Sequence, residues 1–194
     1  MFRIILPLII MAMPLSVEAG GNLVKNGNFT KKLEHWKVEF PETNESKYND
    51  NHRYVKLVAA PRSRGKCVEF TLTAPVAASQ GVKAITDFIP ICQGVTYEYG
   101  AEIFRDGPQV KIFIEGYEKD PEQTEAGNDC YLGFSRVYRA PIHVKTNNRA
   151  WHTVSRRFEP PKQFRPSHVI IKLYAYHPAG KVYFRDVFLR KARQ

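Results

Sequence analysis

Apolar and polar residues alternate with a period of two along most of this chain from Asn22 onward. No window keeps its apolar residues at helical spacing, whereas short alternating runs recur with turn residues between them. The pattern predicts strands over 23–29, 36–40, 54–59, 66–72, 84–91, 96–104, 110–117, 151–158, 169–176 and 181–190, with loops over 41–52, 106–108 and 119–129. About ten short strands in one domain indicate an all-β fold, a jelly-roll β-sandwich of antiparallel strands.

The alternation also divides the side chains of each strand between two faces, one apolar and one mixed. On three strands, over 96–104, 110–117 and 169–176, the mixed side combines aromatic with charged residues. These residues are Glu98, Glu102, Phe104, Phe113, Glu115, Tyr117, Lys172, Tyr174 and Tyr176. We expect them to share one amphipathic second face, opposite the core.

The first 19 residues have the layout of a secretory signal peptide. Arg3 precedes an apolar stretch over 4–15 that two prolines interrupt, and Val17-Glu18-Ala19 ends the segment, with cleavage expected after Ala19. An apolar run this short spans a bilayer poorly, because a membrane helix needs roughly 20 apolar residues. We therefore expect a secreted or periplasmic protein that does not span a membrane, with one mature domain over 20–194.

The formal net charge of +10 makes the chain basic. A basic exported domain suits anionic partners, and nucleic acid is not an expected partner outside the cell. Anionic polysaccharide, lipopolysaccharide and a membrane surface all stay open at this point. The charge is equally compatible with a role in solubility alone.

Three cysteines are too few for a disulfide scaffold, and none lies in a CxxC pair typical of zinc sites. One disulfide and one thiol are expected. Cys92 and Cys130 are the favoured pair, because both lie in loop-like sequence, and Cys67 is then the thiol.

Both ends of the domain resemble a known family. The opening run over 22–29, NLVKNGNF, is followed by Trp36, and the closing runs lie over 151–160, 169–176 and 180–189. Together with the run GVTYEY over 94–99, they resemble carbohydrate-binding modules of the cellulose- and xylan-binding, cenC-like type, which have a galactose-binding-like fold. The resemblance implies a sugar-binding cleft on a concave face or loop edge, with Trp36 and Trp151 packed in the core.

The resemblance also implies a structural calcium ion between the first and last strands. Thr30 stands where the family commonly has an acid, and Arg185-Asp186 stands where it commonly has paired aspartates. Asp186 is therefore the one expected carboxylate ligand, and calcium takes six to eight oxygens. The alternative for Asp186 is pairing with a neighbouring basic residue.

Sugar recognition needs flat apolar surfaces for the C–H faces of pyranose rings and polar groups around them. Five residues of the mixed face are candidate platforms, namely Phe104, Phe113, Tyr117, Tyr174 and Tyr176. The candidate hydrogen-bonding groups are Glu98, Glu102, Glu115 and Lys172. The competing interpretation is that the aromatic residues are buried.

The leading hypothesis is a non-catalytic domain that binds a polysaccharide or cell-envelope glycan, with anionic character, by stacking and rim hydrogen bonds. An alternative is an envelope structural or protein-interaction domain with an exported protein partner, which burial of the five aromatic residues would favour. A lyase or glycoside hydrolase is less favoured. The histidines are not spaced as metal ligands are. Glu98 and Glu102 lie roughly 13 Å apart along one strand, which exceeds the roughly 5–9.5 Å between the two carboxyl groups of a glycosidase. Glu115, on an adjacent strand, would approach either of them.

Overall fold

The computed structural model describes residues 21–39, 53–124, 131–146 and 149–192. In these residues the chain forms eleven strands and one short helix. The strands are β1 Trp36–Glu39, β2 Val55–Ala59, β3 Lys66–Leu72, β4 Val82–Thr86, β5 Ile89–Pro90, β6 Tyr97–Asp106, β7 Gln109–Lys119, β8 Phe134–Val144, β9 His152–Phe158, β10 His168–Tyr176 and β11 Gly180–Lys191, and the helix is α1 Ala74–Ala78. The predicted all-β class is confirmed.

The strands divide into two antiparallel sheets. Sheet A has the order β1-β4-β10-β7-β8, with β5 paired to the end of β10, and sheet B has the order β2-β3-β11-β6-β9. The inner faces of both sheets supply one hydrophobic core, so the molecule is the predicted β-sandwich. The consecutive strands β6 and β7 belong to different sheets, so their outward side chains lie on opposite sides of the sandwich.

Alternation selects the core residues as predicted. On β6 the inward side chains are buried, and on β10 every second residue from Val169 is fully buried. The inward residues of β6 are Tyr97, Tyr99, Ala101 and Ile103. The Tyr99 hydroxyl crosses the core and donates a hydrogen bond to the Ala140 carbonyl of β8 at 3.2 Å, and burial raises the pKa of this tyrosine.

Two strand predictions need correction. The run over 23–29 forms turns instead of a strand, and Asn26 and Phe29 have φ values of 52° and 56°, which interrupt extended backbone. The run over 84–91 is two strands, because Asp87 and Phe88 separate β4 from β5.

Two elements were not predicted. Strand β8 carries Pro141 and two arginines, Arg136 and Arg139, which obscure the alternation of its inward side chains. Helix α1 is five residues long and begins with a proline in its first turn, too short for helical periodicity to be visible.

The predicted signal peptide, Cys130 and the loop over 41–52 lie outside the described residues. Cys67 and Cys92 are not bonded to each other, so the pairing of Cys92 with Cys130 stays a prediction. Burial raises the pKa of the Cys67 thiol to about 11, whereas Cys92 is exposed. Nowhere in the described ranges is there a helix with the length and apolar character to cross a membrane.

Asn22 attaches the first described segment to the last strand. Its side-chain amide donates a hydrogen bond to the Val187 carbonyl at 2.8 Å, and its Oδ1 accepts from the N–H groups of Leu189 at 3.1 Å and Val24 at 3.0 Å. Gly27 lets this segment approach the backbone of β11 closely, because a Cβ at position 27 would overlap the Val187 carbonyl oxygen. One side chain thus serves three backbone groups at the edge of the core.

We expect Asn22→Ala to lower the free energy of unfolding by about 1–3 kcal/mol, because it leaves partly buried backbone groups without partners. Urea unfolding of the domain over 20–194 measures the effect. The control is Asn28→Ala, an exposed side chain bonded to Thr30, which should change stability by about 0.5 kcal/mol or less. Equal losses in the two variants would contradict the role of Asn22.

Candidate functional site

The nine predicted sugar-binding residues lie on opposite sides of the sandwich. Glu98, Glu102 and Phe104 belong to β6 and lie on the outer face of sheet B. The other six belong to β7 and β10 and lie on the outer face of sheet A, namely Phe113, Glu115, Tyr117, Lys172, Tyr174 and Tyr176. The prediction of one shared face is therefore wrong, and Glu115 cannot approach Glu98 or Glu102.

On the outer face of sheet B, the acidic side chains are paired with basic ones. Glu98 pairs with Arg190 at 2.8 Å and Glu102 pairs with Arg185 at 2.6 Å. A hydrogen bond from Ser155, together with Arg190, lowers the pKa of Glu98. Further pairs are Glu69 with Lys181 and Asp106 with Arg149. These carboxylates already have protein partners.

The aromatic residues of the same face are also covered. Phe104 is buried, and Trp151 lies beside it with the ring centroids 5.8 Å apart. The Trp151 indole donates to the Pro61 carbonyl at 2.8 Å, and the Arg185 guanidinium lies 4.2 Å from its ring. Trp151 therefore lies on the outer face of sheet B and not in the core, contrary to expectation, whereas Trp36 is in the core as expected.

On the outer face of sheet A, Glu115 is fully buried and surrounded by cations. Its carboxylate lies 2.9 Å from Lys172 Nζ, 3.1 Å from Arg139 Nε and 3.7 Å from an Arg136 nitrogen. The Tyr117 hydroxyl donates to it at 3.0 Å, and burial, with the nearby carboxylate charge, raises the pKa of Tyr117. A buried charge needs such partners to offset its lost hydration.

Two predicted platforms on this face are buried. Tyr117 is covered by Phe88 and Tyr131 at ring distances of 5.1 and 5.5 Å. Phe113 is 6% exposed, since the Arg139 guanidinium lies 4.0 Å from its ring centroid. Buried rings offer no face to a sugar, so the structure gives no support to Phe104, Phe113 or Tyr117 as platforms.

Tyr174 and Tyr176 are the two predicted aromatic residues that stay partly exposed. They are two residues apart on β10, and their rings are parallel with centroids 5.0 Å apart. Lys83 Nζ lies 5.9 Å from the Tyr174 ring and Lys111 Nζ lies 4.9 Å from the Tyr176 ring. Burial raises the pKa of Tyr174, so its hydroxyl keeps its proton to higher pH than an exposed tyrosine does.

A depression of about 240 Å³ adjoins Tyr174. Its lining is Ser79, Gln80, Lys83, Phe113, Arg139, Lys172 and Tyr174. Four of these residues were missed by the sequence prediction. Arg139 was missed because β8 was not recognised. Lys83 was missed because it immediately precedes the predicted start of its strand. Ser79 and Gln80 follow α1 and carry no distinctive sequence signal.

The calcium ion expected at Asp186 stays a prediction. The Asp186 carboxylate is 61% exposed and lines a depression together with the side chains of Asn22, Asn26 and Asn28. Calcium needs six to eight oxygen ligands. The described ranges contain no cluster of three or more His, Cys, Asp or Glu side chains suited to a metal. Arg185 Nε lies 3.9 Å from the carboxylate, in line with the ion-pair alternative.

We expect Glu115→Gln to lower the free energy of unfolding by about 3–5 kcal/mol, because the buried Lys172 ammonium loses its counter-charge. Thermal and urea unfolding measure this loss. Glu118→Gln is a matched control, since Glu118 is an exposed glutamate on the same strand, and it should change stability by about 0.5 kcal/mol or less. A Glu115→Gln variant as stable as the control would refute the cluster's structural role.

No protein-family model matches the chain, and no curated protein matches its sequence. Solved structures do match its fold. Family 16 carbohydrate-binding module 2 has a TM-score of 0.57 and 14% identity, with coverage of 88% of this chain and 100% of that one. TmCBM61, solved in complex with β-1,4-galactotriose, has a TM-score of 0.53 and 16% identity, with coverage of 89% and 99%.

The enzymatically active domain of tailspike protein 4 from bacteriophage CBA120 has a TM-score of 0.63 and 12% identity. The match covers 88% of this chain, which spans only 21% of the tailspike chain. These identities show likeness of fold alone. The resemblance found in the sequence is thus confirmed at that level: the chain has the β-sandwich fold of carbohydrate-binding modules.

Proposed function

We propose that the protein is an exported, non-catalytic domain that binds a polysaccharide on the outer face of sheet A. The observation that carries this proposal is the pair of partly exposed tyrosines, Tyr174 and Tyr176, beside a depression with polar and cationic walls. Sugar sites combine aromatic surface with a few polar groups in this manner. The similar module TmCBM61 was solved with a bound galactotriose, which supports sugar binding on this fold.

On sheet A, positive charge without a carboxylate partner among the described residues lies beside the partly exposed tyrosines. The carboxylates of the outer face of sheet B are engaged by arginine and lysine. On sheet A, Lys83 and Lys111 form no ion pair with any carboxylate of the described ranges, and Glu115 is shared among several cations. The resulting excess of positive charge supports a ligand with anionic character.

The two tyrosines act as one unit. Because their rings stack on each other, the faces between them are covered and the sugar contacts the outer edges, hydroxyls and remaining ring surface. Ser79 and Gln80, just after α1, line the depression. The Ser79 hydroxyl donates to the Val76 carbonyl at 3.1 Å and keeps its lone pairs for a sugar hydroxyl, and the Gln80 amide can donate or accept. Glu98 and Glu102 are paired with arginines on the other side of the sandwich, which argues for binding without hydrolysis.

A protein-interaction domain of the envelope is the second candidate. It is favoured by the burial of Phe104, Phe113 and Tyr117, three of the five aromatic residues on which the stacking hypothesis was based. The two candidates differ in their response to glycans, since only the first requires retardation by a polysaccharide.

We expect the mature domain to be retarded by one or more polysaccharides in affinity electrophoresis against a panel of neutral and anionic polymers. The double variant Tyr174→Ala/Tyr176→Ala should bind about tenfold more weakly, which corresponds to about 1.4 kcal/mol of lost contact. Tyr183→Ala, a partly exposed tyrosine of sheet B, should leave retardation unchanged. If no glycan retards the protein, the sugar-binding proposal fails and the protein-interaction candidate replaces it.

A further inference from the structure

Arg139 is fixed in place while one edge of its guanidinium stays accessible. Its Nε lies 3.1 Å from Glu115 Oε1, and its guanidinium carbon lies 4.0 Å from the Phe113 ring centroid. Within the part of the chain that the structure describes, the two terminal nitrogens have no hydrogen-bond partner. A planar guanidinium held in this way is prepared for bidentate binding of an anion, because little side-chain entropy remains to be lost.

Lys83 and Lys172 line the same depression from β4 and β10. Lys172 is buried against Glu115 at 2.9 Å, whereas Lys83 rests on the Tyr174 ring and forms no ion pair within the described ranges. One buried carboxylate thus faces several cations, and the walls keep an excess of positive charge. Partial burial strengthens the attraction of such walls for an anion relative to open water.

The size of the depression limits what it can hold. Its volume of about 240 Å³ lies below the roughly 300–1,000 Å³ of pockets that enclose drug-sized ligands. It therefore suits a single substituted sugar unit of a longer chain. Tyr174 forms one wall, and Ser79 and Gln80 add neutral polar groups that suit sugar hydroxyls.

We propose that this depression binds the acidic group of an acidic sugar, a carboxylate or a sulfate, through Arg139 and Lys83. Glu115 is a positioning residue, which holds Arg139 and Lys172 in place without touching the ligand. The inference rests on the proposed polysaccharide binding and narrows it to acidic polymers recognised at one pocket.

The test compares each acidic polymer with its neutral counterpart at constant ionic strength. Polygalacturonate and carboxyl-reduced polygalacturonate report on a carboxylate, and dextran sulfate and dextran report on a sulfate. We expect at least one acidic polymer to bind the mature domain at least tenfold more tightly than its counterpart. Lys83→Gln and Arg139→Gln should each weaken that binding about tenfold, as expected for lost charge-assisted hydrogen bonds.

Matched controls separate a pocket from general attraction between charges. The double variant Lys56→Gln/Lys66→Gln removes two exposed lysines from sheet B and should change binding less than twofold. Lys83 forms no ion pair with Glu115, so Lys83→Gln tests the pocket without removing a partner of the buried carboxylate. Arg139→Lys keeps the charge but lacks the planar fork, and it should restore only part of the affinity.

The outcomes distinguish a specific pocket from unspecific charge attraction and from a protein that binds no polysaccharide. Equal binding of acidic and neutral polymers overturns the acidic-group inference and leaves polysaccharide binding intact. If the Lys56→Gln/Lys66→Gln control loses as much affinity as Lys83→Gln, unspecific charge attraction replaces the pocket as the explanation. Absence of binding to all polymers defeats both this inference and the proposed function.

Discussion

Glu115 carries a charge that is fully removed from water, and the surrounding groups of the outer face of sheet A are arranged to offset that loss. Lys172 comes from β10, Arg139 from β8 and the Tyr117 hydroxyl from β7 itself. The cluster therefore joins three strands on their outer side, as the apolar core does on their inner side. The same contacts fix the guanidinium of Arg139 beside the depression, so stability and the proposed binding depend on one set of interactions.

Cations lie against aromatic rings on both faces of the sandwich, and their second partners differ. On sheet B, Arg185 contacts Trp151 and also pairs with Glu102, so ring, cation and carboxylate form a closed group. On sheet A, Lys83 rests on Tyr174 without a carboxylate partner among the described residues. A ligand with an acidic group would complete that arrangement, which is why we assign binding to sheet A.

The sequence predicted correctly which side chains of a strand face the core, but not the sheet to which a strand belongs. Alternation correctly separated Tyr99 from Glu98, because that distinction is local to one strand. It merged Phe104 with Phe113, because the crossing of the chain between sheets at β6 and β7 leaves no local signal. The burial of Glu115 was equally hidden, since its partners lie on strands distant in sequence, and β8 itself was not recognised.

The most direct test of the account is a titration of the isotopically labelled domain over 20–194 with an oligosaccharide of galacturonate and, separately, with a sulfated oligosaccharide, followed by amide NMR shifts. We expect the shifts to concentrate at Lys83, Arg139, Tyr174 and Tyr176, on the outer face of sheet A. Shifts concentrated around Glu98, Glu102 and Phe104, or a spectrum unchanged by millimolar concentrations of both ligands, would contradict the claim that this face binds an acidic glycan.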